Sequence, residues 1–285
     1  MQKRARYIII KKKKFVNTHF EKVVTIMKIG AQLYTVTKFC QTTDDIAETL
    51  KKVADIGYKT VQLSGLGKYE PEWMVEQLAK NGLEAPITHF DTNIVGDKTE
   101  EAIDFHKRLG VKYIGIGGMR GLWDAKYKET PIEFWEKFVK DFVPAAKKIK
   151  DAGCYFMYHN HHYEFMDVEG RQLYDYLLEN FPADIMGFTA DLYWFKEAGK
   201  DPVEMLNELK GRTPVVHYKD MIITDSGEHR MASVGNGILD WDAIIETSLK
   251  NGIEYAMVEQ DNCYDEDPFV CLKRSYDFLT SKGLN

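Results

Sequence analysis

The chain has 285 residues, of which 44% are hydrophobic and 13% aromatic. This length fits one large domain or two small ones, and the aromatic content argues against a disordered chain. The formal net charge is −6, but the first 26 residues carry eight Lys or Arg and one acid, so residues 27–285 carry −13. An acidic body argues against general binding to nucleic-acid phosphates.

Cysteine usage and hydropathy narrow the class of protein further. The four cysteines are scattered and contain no CxxC pair, which is typical of a reducing, cytoplasmic protein rather than of a disulfide framework. No run approaches the ~20 apolar residues of a membrane span. We therefore expect neither nucleic acid nor membrane as partner, while a homo-oligomer remains open.

The basic segment 1–26 is interpreted as an extension separate from the body. Its apolar run at 7–10 is shorter than the core of a signal peptide and is followed at once by four lysines. Residue 27 is a Met that begins MKIGAQLYTV, which looks like the start of a first strand. We expect residues 1–26 to be disordered or to come from a misassigned start, the alternative being a tail for nucleic acid or a membrane surface.

From residue 27 onward, short runs rich in Val, Ile, Tyr and Phe alternate with longer amphipathic ones. The runs predict strands at 28–36, 60–65, 84–90, 111–118, 155–160, 185–191, 213–220 and 255–261. The amphipathic segments predict helices from 43, and at 72–81, 99–109, 132–152, 171–180, 201–209, 241–251 and 268–281. Gly82, Gly110, Gly153 and Gly252 follow four of these helices and are expected to cap them.

Eight alternating strand–helix units predict a parallel (β/α)8 TIM barrel, an α/β fold, formed by one domain over 27–285. No glycine-rich phosphate loop such as GxGxxG follows any strand, which disfavours a dinucleotide-binding sheet. Active sites of TIM barrels lie at the C-terminal ends of the strands. Five of the eight histidines fall in those segments: His89, His159, His161, His162 and His217.

Three of the polar strand ends predict a metal site. Asp191, His217 and Glu259 end consecutive predicted strands, so they would face one another in a closed barrel. Burying two carboxylates together is costly unless a cation lies between them. This ligand set suits Mn²⁺, Co²⁺, Mg²⁺ or Zn²⁺.

Other strand-end residues are interpreted from their parity and neighbours. Lys219 lies two residues after His217, so the two side chains would point to the same face of the strand. If that face is inward, Lys219 would hold a substrate oxygen or accept a proton. The alternative for Lys219 is a solvated loop lysine. Asp220 and Asp261 are each followed by loop and are interpreted as partners of the loop backbone or of a helix cap.

Five segments in order give the body a family resemblance: MKIGAQLYTV, TADLYWF, HYKD, VGNGILDW and VEQD. From Met27 to about Leu284 the chain resembles the sugar phosphate isomerase/epimerase superfamily, the xylose isomerase-like TIM barrels. That superfamily includes ketose 3-epimerases, inosose dehydratase, hydroxypyruvate isomerase, dehydroshikimate dehydratase and endonuclease-IV-type enzymes. The resemblance implies a divalent metal, often Mn²⁺, held by Glu, Asp, His and Glu, and Asp191, His217 and Glu259 match the last three.

The chain departs from the family in strand five. The family's epimerases carry a Glu followed three residues later by Asn, and aligning that Asn with Asn160 puts Met157 at the Glu. Since Met is a poor ligand for hard cations, we assign the chain to a subgroup with a YHNHxxEF segment at 158–165. The fourth ligand would be His159, His161 or Glu164, or the metal would have three protein ligands. Glu164 is favoured because it restores the missing charge.

The resemblance implies a metal-dependent isomerase or epimerase that acts on a sugar or keto-sugar through an enediolate. Glu259 would remove the proton beside the carbonyl, Lys219 would stabilise the enediolate, and His159 or His89 would return a proton. The predicted substrate contacts are Asn160, His161, Trp123 and Trp194.

A lyase or dehydratase is the alternative activity. It would expel a leaving group from an inosose or a 3-keto-glycoside, with a histidine as general acid. Nucleic-acid cleavage is disfavoured by the acidic body, and a non-catalytic sugar-binding barrel stays open because of Met157. No Arg cluster stands out for a phosphate, which favours an unphosphorylated sugar or cyclitol.

Overall fold

In the computed structural model, which describes residues 27–119 and 132–285, eight parallel strands close into a barrel. The barrel strands are β1 (Lys28–Gln32), β2 (Thr60–Leu63), β3 (Glu84–His89), β4 (Tyr113–Ile116), β5 (Tyr155–His159), β6 (Met186–Asp191), β7 (Val215–Tyr218) and β10 (Tyr255–Val258). Strand β10 pairs with β1 and closes the barrel. The remaining strands, β8 (Asp220–Ile223) and β9 (His229–Ala232), form an antiparallel hairpin directly after β7. The predicted TIM barrel is confirmed.

Helices connect the barrel strands. They are α1 (Thr43–Ile56), α2 (Pro71–Asn81), α3 (Thr92–Asp97), α4 (Thr99–Leu109), α5 (Ile132–Asp151), α6 (Leu173–Asn180), α7 (Leu192–Glu197), α8 (Pro202–Glu208), α9 (Trp241–Asn251) and α10 (Pro268–Ser281), with 3₁₀ turns at Leu33–Phe39 and Tyr163–Phe165. The predicted glycine caps are confirmed at Gly82, Gly110 and Gly252, which adopt the left-handed conformation.

Some boundaries differ from the sequence prediction. The first strand was expected to reach residue 36 but ends at Gln32, whose side chain accepts a hydrogen bond from the Tyr34 amide and starts a 3₁₀ turn. The seventh was expected to reach residue 220 but ends at Tyr218, because the chain then enters the hairpin. The six-residue helices α3 and α7 were not predicted, and each begins at an aspartate cap, Asp91 and Asp191.

The barrel interior is apolar below the strand ends. Five buried side chains fill it: Ile87, Tyr113, Met157, Val215 and Met257. A Cβ on Gly187 would lie 3.0 Å from the Met157 sulfur and 2.5 Å from a backbone oxygen, so only glycine leaves room here. This apolar floor lies directly beneath the polar strand ends.

The structure does not test the predictions for segment 1–26 and for Trp123, but it does bear on membrane spans. Residues 1–26 and Trp123 are not among the residues that the structure describes. Within 27–119 and 132–285, no helix combines the length and the apolar character needed to cross a bilayer.

Candidate metal centre

Four buried side chains from four adjacent strands converge at the C-terminal end of the barrel. They are His159 at the end of β5, Asp191 at the end of β6, His217 in β7 and Glu259 directly after β10. Their nearest ligand atoms all lie within 4.8 Å of one another. We call these four residues the metal-site group, since their nitrogen and carboxylate donors could hold a metal ion.

The two carboxylate oxygens of Asp191 have separate surroundings. Its Oδ1 accepts a hydrogen bond of 3.0 Å from the Trp194 amide and so caps α7. Its Oδ2 lies 3.3 Å from Nε2 of His159 and 3.6 Å from Nδ1 of His217. The Asp191 amide donates to Oδ1 of Asn160 over 3.0 Å. The carboxylate is therefore fixed through one oxygen while the other faces the group.

The hydrogen bonding of His217 provides a test of whether a metal fits. Its Nε2 lies 2.8 Å from the Gln62 amide oxygen, which accepts the ring proton. Its buried Nδ1 lies 2.9 Å from Oε2 of Glu259, yet the two are not aligned as a hydrogen bond. Because Gln62 engages Nε2, Nδ1 is the ring nitrogen that faces the carboxylates, and a bound cation would replace the proton that Nδ1 otherwise holds there. That is the arrangement of a metal-binding histidine held by a second partner, and the residues fit a metal.

The charges of the group also favour a cation. Burial opposes ionisation of Asp191 and Glu259, but Lys219 and the neighbouring imidazoles outweigh it and hold both pKa values below the usual range. Burial alone would lower the pKa of His217, yet the Glu259 and Asp191 carboxylates raise it to about 9. The field that draws a proton to His217 also attracts a divalent cation.

Lys219 points into the site, as its parity predicted. Its buried ammonium lies 3.3 Å from Oε2 of Glu259, 3.5 Å from Oδ2 of Asp191 and 2.8 Å from Oδ2 of Asp261. Burial opposes its charge, but these three carboxylates raise its pKa. The ammonium also lies 5.0 Å from the centre of the Trp194 ring. A solvated loop lysine is thus excluded.

The two aspartates that were interpreted as loop partners behave differently. Asp220 is as expected, because it accepts hydrogen bonds from the Gly235 and Gly237 amides and the Trp241 indole. Asp261 is not, because its carboxylate pairs with Lys219. The sequence offered no sign of this contact beyond the short distance from Asp261 to Glu259 along the chain.

The structure does not bring the favoured fourth ligand, Glu164, into the group. Its Oε1 accepts a hydrogen bond from the Tyr158 hydroxyl at 2.9 Å, and its Oε2 accepts one from the His161 amide at 2.8 Å. Burial raises its pKa to about 7. Both oxygens stabilise the loop after β5, and His159 supplies the donor from that strand.

The other predicted site residues lie around the group. The His89 ring centre is 4.9 Å from that of His159 and 5.5 Å from that of His217. The His161 ring is 4.5 Å from His159 and 5.3 Å from Trp194. These three therefore lie close enough to the group to reach a bound molecule.

Asn160 was predicted to contact substrate, and the structure gives it another position. It is fully buried. Its Oδ1 accepts a hydrogen bond from the Asp191 amide, and its Nδ2 donates one to the Asp191 carbonyl oxygen. It holds the backbone of Asp191 in place instead of facing the site.

Sequence reasoning missed Gln62. It lies in the middle of β2, and its amide oxygen fixes the orientation of His217 from across the barrel. A buried glutamine inside the apolar run TVQLSG was an available signal, since buried polar side chains require partners.

A sequence profile of the family described as xylose isomerase-like TIM barrel matches residues 50–268. The chain belongs to that family. A search of curated protein sequences returned no match.

Solved structures share the barrel. A sugar phosphate isomerase/epimerase from Parabacteroides distasonis aligns with a TM-score of 0.73 and 20% identity over 91% of this chain and 96% of its own. An L-ribulose 3-epimerase aligns with a TM-score of 0.67 and 13% identity over 90% and 94%. A probable 3-DHS dehydratase from Bacillus anthracis gives 0.65 and 17% over 89% and 99%. At these identities the similarity establishes the fold.

Proposed function

We propose that this protein is a divalent-metal-dependent isomerase or epimerase that acts on a sugar or keto-sugar through an enediolate. The observation that carries the proposal is the metal-site group with the Lys219 ammonium beside it. Mn²⁺ is the favoured ion, with Co²⁺, Mg²⁺ and Zn²⁺ as alternatives. Structural neighbours named as a sugar phosphate isomerase/epimerase and an L-ribulose 3-epimerase support this activity.

The chain's own residues would perform the proton transfers. A bound divalent ion would polarise the sugar carbonyl and acidify the adjacent C–H group. Glu259, ionised beside Lys219 and His217, would take the proton from that carbon. Lys219 would donate a hydrogen bond to the enediolate oxygen. Because both groups are buried, their charges act on the substrate with little screening.

His89 would relay a proton from solvent to the substrate, because burial and the neighbouring imidazoles hold its pKa well below the ordinary value and leave the resting ring neutral. His159 and His89 were the two histidines predicted to return the proton. Since His159 belongs to the metal-site group, His89 is the one available for this role. Its ring lies 4.9 Å from His159, and its buried Nε2 has no hydrogen-bond partner among the described residues. It lies on the β3 side of the barrel, across the ring of strands from Glu259.

A lyase or dehydratase is the second candidate, favoured by the number of imidazoles. His161 lies 4.5 Å from His159 and gives the site a further imidazole besides His89. The enediolate would then expel a leaving group from an inosose or a 3-keto-glycoside, with His161 as general acid. The fold neighbour named as a probable dehydratase is consistent with this route.

Product analysis in deuterated water tests the proposal. The purified protein loaded with Mn²⁺ would be incubated with keto-sugars, inososes and 3-keto-glycosides, and products analysed by mass spectrometry and NMR. An isomerase incorporates deuterium at carbon without changing the formula, whereas a lyase loses water or an aglycone. Glu259→Gln should abolish either reaction, while Asp240→Asn, which alters only the cap of α9, should not. Full turnover by Glu259→Gln would contradict the proposed base.

A further inference from the structure

A groove opens beside the metal-site group, over the loops that follow β2 and β3. It has a volume of about 800 Å³ and is lined by residues from α1, the segment 63–73, the segment 89–91 and α4. This volume is near the upper end of the ~300–1,000 Å³ range of pockets that enclose drug-sized ligands. The groove therefore has more room than one sugar ring needs.

The groove is continuous with the candidate metal centre through His89. That side chain lines the groove, and its ring also lies 4.9 Å from His159 of the metal-site group. A substrate whose reacting carbons lie at the metal-site group would therefore extend past His89 into the groove.

Aromatic side chains form much of the groove wall. Tyr69, Trp73, Phe90 and Phe105 all line it, and each is only partly buried. The Phe105 ring lies 4.9 Å from Phe90 and 5.8 Å from Tyr69, so three rings form one continuous surface. Stacking an apolar group on a partly exposed aromatic ring removes apolar surface from water and is therefore favourable. The C–H faces of a sugar ring are such apolar groups.

Polar groups accompany the aromatic wall. Lys68 and Asp91 line the groove from opposite loops and are exposed, and the buried Ser64 lies at its inner end. Such groups can bond the hydroxyls around a sugar ring, whereas an aryl group would leave them unused.

We propose that the groove is a subsite for a second sugar ring, so that the substrate is a disaccharide or larger glycoside. This inference rests on the proposed function, which places the reacting sugar at the metal-site group. The second ring would lie against Trp73 and the Tyr69–Phe105 surface, with its hydroxyls towards Lys68 and Asp91.

Calorimetric binding to the Mn²⁺-loaded protein tests the proposal. The probes are glucose, phenyl β-glucoside and four glucosyl disaccharides of different linkage: maltose, cellobiose, laminaribiose and sophorose. At least one disaccharide should bind about tenfold more tightly than glucose, and Trp73→Ala should remove about tenfold of that affinity. Glucose affinity should stay unchanged in Trp73→Ala. Val270→Ala, an exposed apolar position outside the groove, is the matched control and should leave every affinity unchanged.

Several results would overturn the subsite. They are equal affinities for glucose and all four disaccharides, equal losses for glucose and disaccharide in Trp73→Ala, or tighter binding of phenyl β-glucoside than of every disaccharide. The same titrations with metal-free protein separate this inference from the proposed function. If the preference for a disaccharide persists without metal, the subsite is supported even if no turnover is found. If monosaccharides are turned over and no disaccharide is preferred, the subsite is refuted and the proposed function is not.

Discussion

Asp191 combines a structural and a proposed metal-binding role in one carboxylate. Its Oδ1 caps α7 through the Trp194 amide, and its Oδ2 faces His159 and His217. A strand-end aspartate is often only a helix cap, so the two roles must be separated by experiment.

Asp191→Ala should lose bound metal, because it removes a charged donor from the centre of the group. Metal per chain, measured by mass spectrometry after Mn²⁺ loading, checks this. The matched control is Asp201→Ala, which removes a cap from α8 and should cost about 1 kcal/mol of stability without loss of metal. Full metal content in Asp191→Ala would refute its role as a ligand.

Glu164 makes stability depend on pH. Burial raises its pKa to about 7 from the ordinary value of 4.5, so the folded state keeps a proton that the unfolded state releases. Its contribution is therefore fully present below about pH 4.5 and is lost as pH rises through about 7, with a magnitude on the order of 3 kcal/mol.

The variant Glu164→Gln tests this pH dependence, since glutamine does not titrate. Thermal unfolding from pH 5 to 8 should show wild type losing stability relative to Glu164→Gln as pH rises. Bound metal should be unchanged, because Glu164 bonds Tyr158 and the His161 backbone. If the stability of wild type and of Glu164→Gln changes with pH in parallel, Glu164 is already ionised throughout this range. If Glu164→Gln loses bound metal, Glu164 is a metal ligand after all.

At the scale of elements, β5 shows what sequence could and could not predict. Alternation along the strand correctly places Met157 and His159 on the inward face. It does not determine which of them reaches the metal-site group, because depth along the barrel axis depends on the stagger between strands. Pairing places Met157 beside Gly187 and His159 beside Thr189, which leaves Met157 in the apolar floor. Gln62 could not be assigned from sequence for a similar reason, since its partner His217 is 155 residues away along the chain.

The strength of the hydrophobic pattern decided which elements could be predicted from the sequence. The barrel strands and long helices carry strong hydrophobic periodicity and were predicted, as was the convergence of Asp191, His217 and Glu259. The β8–β9 hairpin and the six-residue helices α3 and α7 were missed because such short segments show no clear period.

Met157→Glu should destabilise the barrel by several kcal/mol without adding a ligand. The new carboxylate would lie among Ile87, Tyr113, Val215 and Met257, where an unpaired charge is costly. Thermal unfolding and metal titration check this, with His159→Ala as the comparison that should lose metal. A stable Met157→Glu protein that binds metal more tightly would contradict this expectation. It would show that a ligand at position 157, two residues before His159, can reach the metal.

At the scale of the whole molecule, the described barrel closes on itself from β1 to β10. Met27 lies fully buried directly before β1 and contacts the Tyr218 hydroxyl through its sulfur at 3.8 Å. We propose that the domain at 27–285 is sufficient for folding and activity, and that the basic segment 1–26 contributes to neither.

Deletion of residues 1–26 tests the domain proposal. The shortened chain begins at Met27 and should keep the melting temperature, metal content and turnover of the full chain. Loss of any of the three on deletion would show that the basic segment belongs to the functional domain.

Anomalous scattering from bound manganese tests the candidate metal centre. Crystals soaked in Mn²⁺ would be measured at a wavelength where manganese scatters anomalously. The proposed centre should give one strong peak within bonding distance of His159, Asp191, His217 and Glu259. No peak there, or a peak bound by Glu164 in place of His159, would contradict it.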